Sequence, residues 1–310
     1  MEHPKNKILI IGGPTASGKT EISFEIAKKI NGEIISCDSR QFYKEINIGT
    51  DKPPEWMRKE IPHYFIDFLS LKDEFDVFEY NNLVIKKVNE IILNNKVPII
   101  VGGSGFYVRT LLKGIFYLPL ELKEKQKEIR EKLEKEKTED LYEKLKKIDP
   151  EIIEKIHPND RYRIKRAIEV YEVTGKNMTY WRNQKYCKTL NEIGKVLYFI
   201  LMRERNQIYE RIEKRIERMF NNNWIEEVKN LKEYGYEKFL REKGPIGYKE
   251  ILDFLNGKND LEEIKKIIIK KTKEYVRKQI IWFRKEEGYF INFLDNEEAI
   301  EKILKIYKND

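Results

Sequence analysis

Gly13-Pro14-Thr15-Ala16-Ser17-Gly18-Lys19-Thr20 fits the pattern G-x-x-x-x-G-K-[S/T], which carries chemical meaning only between a strand and a helix. Both flanks are legible. Lys7 to Ile11 is a compact apolar run that stops at Gly12-Gly13, and Ile22, Phe24, Ile26, Ala27 and Ile30 follow at helical spacing. Glycines in such a turn let successive backbone N–H groups converge on an anion, and the helix N-terminus adds its partial positive charge. Lys19 supplies a point charge and Thr20 can reach a bound Mg²⁺. The stretch predicts a site for a di- or triphosphate and leaves open which compound binds.

Outward from the loop, Glu33 to Cys37 and Val97 to Val101 are further short apolar runs, ending at Asp38 and at Gly102-Gly103, with helical patterns between and after them. That alternation predicts an α/β fold, a P-loop-type parallel sheet flanked by helices. Near Pro119 the composition shifts to Glu, Lys, Ile and Leu, and helical periodicity runs on from Glu151 to Thr174, so an all-helical insertion domain is expected over residues 119–192. It would divide a catalytic core into residues 1–118 and 193–310. The mixed charges from Glu121 to Lys147 read as exposed helix faces without chemistry. Lys195 to Met202 reads as a strand by which the chain rejoins its sheet, followed by a long helical pattern from Gln207 to Tyr234. Two further helices are expected, over Tyr248 to Leu255 and Leu261 to Arg284; between Lys265 and Lys285 the second carries nine Lys or Arg against one acid.

The 310 residues are 40% hydrophobic, enough for a real core, and the net charge of +8 favours polyanionic partners such as nucleic acid. A solvated basic face accounts for that charge equally well. Cys37 and Cys187 are the only cysteines, which excludes a disulfide framework and a cysteine-built zinc site. With no signal-peptide pattern and no apolar stretch of membrane-spanning length, a reducing cytoplasm is the expected compartment and no membrane partner is expected.

Asp38 lies just past the carboxyl end of a strand, on the edge where doubly wound sheets bind ligands. From position alone it serves equally as a Mg²⁺ ligand, a general base or a helix N-cap. A resemblance narrows the choice. The loop, followed by Asp38-Ser39-Arg40-Gln41, Tyr43 and Ile48-Gly49-Thr50-Asp51-Lys52-Pro53, resembles the tRNA dimethylallyltransferases. So do Pro62-His63-Tyr64, Val101-Gly102-Gly103-Ser104-Gly105-Phe106-Tyr107, Arg163-Ile164-Lys165-Arg166-Ala167-Ile168-Glu169, Ile246-Gly247-Tyr248-Lys249-Glu250 and Tyr275 to Arg284. The match spans nearly the whole chain, in order. Ser104 and Ile281 stand where the family usually has threonine, and Arg277-Lys278 where Lys-Arg is usual. No zinc finger follows Asp295, so the resemblance implies the bacterial type, with a monomer expected.

The resemblance further implies that Gly13 to Thr20 cradle dimethylallyl diphosphate, with Mg²⁺ at Thr20 and Arg211, backed by Arg215, completing the clamp. Asp38 would take the proton from the exocyclic N6 of adenosine 37, 3′ of the anticodon, a poor nucleophile until a base collects that proton. Ser39, Arg40, Gln41 and Ser104 would hold the unstacked adenine. Tyr162, Arg163, Ile164, Lys165 and Arg166, then Gly247, Tyr248 and Lys249, then Arg277, Lys278, Gln279 and Arg284, would contact the tRNA. Trp282 and Phe283 read as packing residues, Lys270 and Lys271 as a solvated basic face, and His63 and His157 as structural. A nucleotide-dependent kinase shares the loop and can use Asp38, but it needs neither the Asp-Ser-Arg-Gln segment nor the basic C-terminal helix. A non-catalytic RNA-binding NTPase is the third reading.

Overall fold

The structure is a computed structural model that describes residues 6–118, 122–184 and 187–310. Along the chain come β1 (Lys7–Gly12), α1 (Lys19–Ile30), β2 (Gly32–Ser36), α2 (Glu55–Glu60), β3 (His63–Tyr64), α3 (Val77–Leu93), β4 (Val97–Gly102) and α4 (Gly105–Lys113). Next are α5 (Lys123–Lys135), α6 (Thr138–Ile148), α7 (Pro150–Ile153), α8 (Arg161–Thr174) and α9 (Met178–Arg182). The chain closes with β5 (Lys195–Met202), α10 (Arg205–Asn221), α11 (Trp224–Glu233), α12 (Glu237–Lys243), α13 (Tyr248–Leu255), α14 (Leu261–Phe283), β6 (Tyr289–Asn292) and α15 (Asn296–Asn309).

Among the described residues the sheet has six strands, all parallel, in the order β3-β2-β4-β1-β5-β6. The expected P-loop-type α/β sheet is therefore present, with β1 at its centre. Because β1 is buried on both faces, its apolar run is continuous rather than alternating. Ile8 and Ile10 pack with Tyr80, Val84 and Val88 of α3 and Val108 of α4; Leu9 and Ile11 pack on the opposite side with Ile22 and Ile26 of α1 and Ile303 of α15. A further apolar cluster joins α10, α11, α13 and α14 around Trp224, which is 1% exposed.

The chain divides into two compact units. One comprises β1 to α4 and β5 to α15, and the other is Lys113–Lys188. The second is helical, with Leu133, Leu141, Leu145, Ile152, Ile164 and Ile168 at its centre. Its buried Asp149 is fully used. The carboxylate caps α7 by accepting from the Ile152 N–H at 3.2 Å and accepts twice from Thr179. The compositional change at Pro119 lies outside the described residues.

Two helical readings are corrected. The pattern from Gln207 to Tyr234 is broken between α10 and α11 at Asn223, whose φ of 66° is left-handed. The pattern from Glu151 to Thr174 is interrupted before Asp160, which caps α8 by accepting from the Arg163 N–H at 3.2 Å. The strand β3 and the edge strand β6 are additions to the sheet that sequence periodicity did not mark.

The end of β4 shows how tightly the carboxyl edge is built. An ideal Cβ on Gly102 would lie 1.9 Å from the Cys37 carbonyl oxygen, so only glycine lets the two backbones approach there. Gly102→Ala is expected to cost about 3 kcal/mol of unfolding free energy, the upper end for overpacking, because backbone must move. A urea melt of the full chain checks this, and an unchanged midpoint would contradict it.

Candidate active site

The loop between β1 and α1 depends on special backbone. Gly13 and Gly18 take φ of 148° and 96°, and Ala16 lies between them at 64°. A side chain at Gly13 would also strike the Leu201 carbonyl at 2.8 Å, on the neighbouring strand. The Ile22 N–H makes the first helical bond, to the Gly18 carbonyl, which leaves the N–H groups of Lys19, Thr20 and Glu21 ahead of it for an anion.

Lys19 folds back over this loop, its Nζ donating to the carbonyls of Gly13 at 2.9 Å and Pro14 at 2.8 Å. Burial lowers its pKa to about 8, against a smaller opposing pull from the negative charge of Asp38. Ser17 Oγ, also at the loop, is buried and has no partner in the structure, as expected of a donor waiting for an anion.

Arg211 reaches the loop from α10, its Nε donating to the Ala16 carbonyl at 2.9 Å. Arg215, one turn on, is engaged by Asp51 at 3.3 Å, and Arg218 holds the other oxygen of the same carboxylate at 2.6 Å. Both arginines expected at the clamp lie by the loop: Arg211 bonds it directly, and the charge of Arg215 is close enough to Lys19 to help lower its pKa.

Asp38 follows β2 and is half-buried. Its Oδ1 accepts from the Arg40 N–H at 3.0 Å and its carbonyl from the Gln41 N–H at 3.0 Å, a tight turn that fixes the carboxylate. The Ser39 N–H points to Ser104 Oγ at 3.4 Å, which brings the turns after β2 and β4 together. Arg40 is exposed, and its Nη1 donates to the Lys243 carbonyl at 2.7 Å. The Gln41 carboxamide accepts from Ser36 Oγ at 3.2 Å and donates to the Asp51 carbonyl at 3.3 Å. Tyr275, the first residue of the last motif, was given no role from the sequence. The residue is 45% exposed, and its hydroxyl pKa is raised by partial desolvation of the hydroxyl and then by the charge of Asp38.

The expected RNA contacts divide by exposure. Tyr162 is 78% exposed, Arg163 is exposed, and Lys165 and Arg166 are half-buried in ion pairs with Glu134 and Glu169. Lys249, Arg277, Lys278 and Arg284 are exposed. Arg277 and Arg284, with Arg203, Arg205, Lys302 and the exposed Ile281, line a groove of about 800 Å³ at the carboxyl ends of β5 and β6.

Four others are not free to meet RNA. Ile164 is fully buried in the helical unit, where its position on the apolar stripe of α8 puts it. Tyr248 is also fully buried, its hydroxyl donating to Glu227 at 2.7 Å, and Gly247 packs so closely that a Cβ would sit 2.1 Å from the Trp224 ring. Gln279 is 7% exposed and turned toward the phosphate loop. Trp282 and Phe283 do pack: Phe283 is fully buried, and Trp282 lies 4.1 Å under the Arg109 guanidinium and against Gly105. His63 holds the Ile61 carbonyl and His157 Nδ1 accepts from the Asn159 N–H, while Lys271 pairs with the buried Glu250.

A phosphate loop of this geometry, with an acidic residue past the next strand but one in the sheet and a basic helix beside it, defines a P-loop-type enzyme. The comparisons specify which. The family described as IPP transferase matches residues 41–286. A tRNA dimethylallyltransferase of Halothermothrix orenii is 42% identical over 92% of this chain and 87% of its own, and one from a Thermoanaerobacter species is 40% identical over 96% and 95%. Among solved structures, the tRNA isopentenylpyrophosphate transferase of Staphylococcus epidermidis aligns with a TM-score of 0.67 at 33% identity, covering 99% of this chain and 100% of that one. A eukaryotic dimethylallyltransferase acting on tRNA aligns with a TM-score of 0.79 at 28% identity, covering 98% and 79%. The chain belongs to the tRNA dimethylallyltransferase family and is a prenyltransferase, which favours that reading over the kinase.

Lys19 sets a pH limit on the loop. Burial disfavours its ammonium form, so it is charged below about pH 8 and loses its proton above that, and only the charged form attracts a phosphate. With a diphosphate substrate fully ionised in this range, kcat/KM for it is expected to fall as pH rises through about 8. A profile that stays flat to pH 10 would contradict the assignment.

Proposed function

We propose that Gly13 to Thr20 hold the diphosphate of dimethylallyl diphosphate and that Asp38 is the base that takes the proton from N6 of adenosine 37 in tRNA. One observation carries this reading: the loop after β1 and the turn after β2 open on the same carboxyl edge, separated by the one strand β4, whose own following turn meets the Asp38 turn through Ser104. That separation suits two reactants brought from opposite sides to one line of attack. The N6 lone pair forms the bond to the allylic carbon as the carbon–oxygen bond breaks; the N6 proton passes to a carboxylate oxygen of Asp38, and diphosphate leaves with the electron pair.

Charge therefore grows on the departing diphosphate, and donors already aimed there favour the transition state over the ground state. The helix N-terminus, Lys19, Ser17 Oγ and the Arg211 guanidinium are those donors. Thr20, the second residue of α1, would offer its hydroxyl to Mg²⁺. Among the described residues no group of three or more His, Cys, Asp or Glu could hold a metal alone. A single hydroxyl beside a phosphate loop fits a Mg²⁺ that takes most of its ligands from phosphate and water. When bound, it would neutralise part of the leaving group's charge.

Ser39, Arg40 and Ser104 border Asp38 and are proposed to hold the adenine, with Gln41 supporting the turn. Tyr162, Arg163, Lys165 and Arg166 in the helical unit, and Lys249, Arg277, Lys278 and Arg284 in the other, supply cations and one exposed ring for RNA phosphates and bases. A cytoplasmic monomer suffices, because one chain carries the loop, Asp38 and Arg211; no helix among the described residues is long and apolar enough to cross a membrane.

Replacing Asp38 with Ala or Asn is expected to lower the single-turnover rate by about 10²- to 10⁴-fold, the usual worth of a general base, while tRNA affinity holds within a few-fold. Full turnover by Asp38→Asn would remove Asp38 from the role of base.

A further inference from the structure

Helix α14 turns two different faces outward and inward. Arg277, Lys278, Ile281 and Arg284 are exposed, whereas Val276, Gln279 and Phe283, spaced three and four apart, are buried. Gln279 is thus a polar side chain on a core-facing stripe, a placement that costs stability unless both ends of the carboxamide are satisfied. Both are. Oε1 accepts from the Thr15 N–H at 2.9 Å, and Nε2 donates to the Gly103 carbonyl at 3.1 Å. The first partner is in the phosphate loop and the second in the turn after β4, next to Ser104. Gly103 is close to the loop on its own account, since an ideal Cβ there would stand 3.6 Å from the Gly13 carbonyl and 3.8 Å from Lys19 Nζ.

From this geometry we infer that Gln279 is a positioning residue: its carboxamide latches the amino-terminal half of the phosphate loop to the turn after β4. The inference rests on the proposed assignment of the loop to the allylic diphosphate. It also removes the Thr15 N–H from the anion cradle, because that N–H is already engaged, and leaves the cradle to the segment around Ser17 and the start of α1. Trp282, three residues further along α14, lies against Gly105, the first residue of α4, directly after that turn. The helix that presents basic side chains to solvent therefore also fixes, through its other face, both walls of the diphosphate site. An RNA-reading glutamine would instead need a carboxamide open to solvent.

The test uses the full chain with Gln279→Met, which keeps the length and bulk of the side chain and removes both hydrogen bonds, and with Gln279→Glu, which keeps an oxygen for the Thr15 amide. Three quantities are read: affinity for inorganic diphosphate with Mg²⁺ by calorimetry, KM for dimethylallyl diphosphate, and affinity for undermodified tRNA. Gln279→Met is expected to weaken diphosphate binding and raise KM for the donor by about tenfold, the worth of one ordinary hydrogen bond, with tRNA affinity within twofold of wild type. Gln279→Glu is expected to fall between the two. Hydrogen exchange of the peptide spanning Gly12 to Lys19 should rise in Gln279→Met without a matching rise across the sheet. A loss confined to tRNA affinity would assign Gln279 to RNA and overturn the latch. A lowered melting temperature with both substrate constants unchanged would reduce it to a packing residue. Failure of the wild-type chain to bind diphosphate at all would instead overturn the assignment of the loop itself, and the latch with it.

Discussion

Close approach of backbone at the carboxyl edge of the sheet is the constraint from which the site follows. Gly102 leaves room for the Cys37 carbonyl, Gly13 for the Leu201 carbonyl, and Gly103 stands against the loop. With a Cβ at Gly102 or Gly13, β2 and β4 or the loop and β5 would have to separate, and Asp38 would move away from the phosphate site. Glycine here serves proximity more than flexibility. The turns after β1, β2 and β4 meet within a few ångströms because nothing projects between them.

The same device recurs away from the sheet. Gly49 and Gly247 both pack on Trp224, where a Cβ would come within 2.5 Å and 2.1 Å of its ring, and Gly105 packs on Trp282. Segments far apart in sequence are therefore mated in pairs: residues 48–51 with α11 and α13, and residues 103–105 with α14. Several stretches that read as substrate-binding motifs owe their composition to this packing. Glu227 illustrates the cost of such a junction and how it is met: one oxygen accepts from the Asn47 and Ile48 N–H groups and the other from the Tyr248 hydroxyl, so a buried tyrosine and an exposed turn share one carboxylate.

The phosphate loop, the strands beside it and Asp38 were legible because each has a local signature: a glycine-rich turn between an apolar run and a helical stripe, or an acid just past a strand. The edge strand β6 was not, since Tyr289 and Phe290 are exposed and four residues give no clear alternation. Roles within motifs were the weakest part. Ile164 and Gln279 lie among basic residues that read as an RNA surface, yet helical phase puts Ile164 in line with Ile168 and Gln279 in line with Val276 and Phe283, on buried stripes. For such side chains helical phase outranks the chemistry of sequence neighbours. The burial of Tyr248, by contrast, depends on Trp224 and Gly49, partners that no local pattern announces.

What most needs testing is that the loop takes an allylic diphosphate and that its organic half ends on tRNA. The direct measurement is to incubate the purified chain with Mg²⁺, undermodified tRNA and dimethylallyl diphosphate, with ATP replacing the donor in a parallel reaction, and to digest the RNA for mass spectrometry. Adenosine carrying one added dimethylallyl group, at the position 3′ of the anticodon, is expected in the first reaction alone. Unmodified adenosine there, accompanied by conversion of ATP to ADP on an added acceptor, would contradict it.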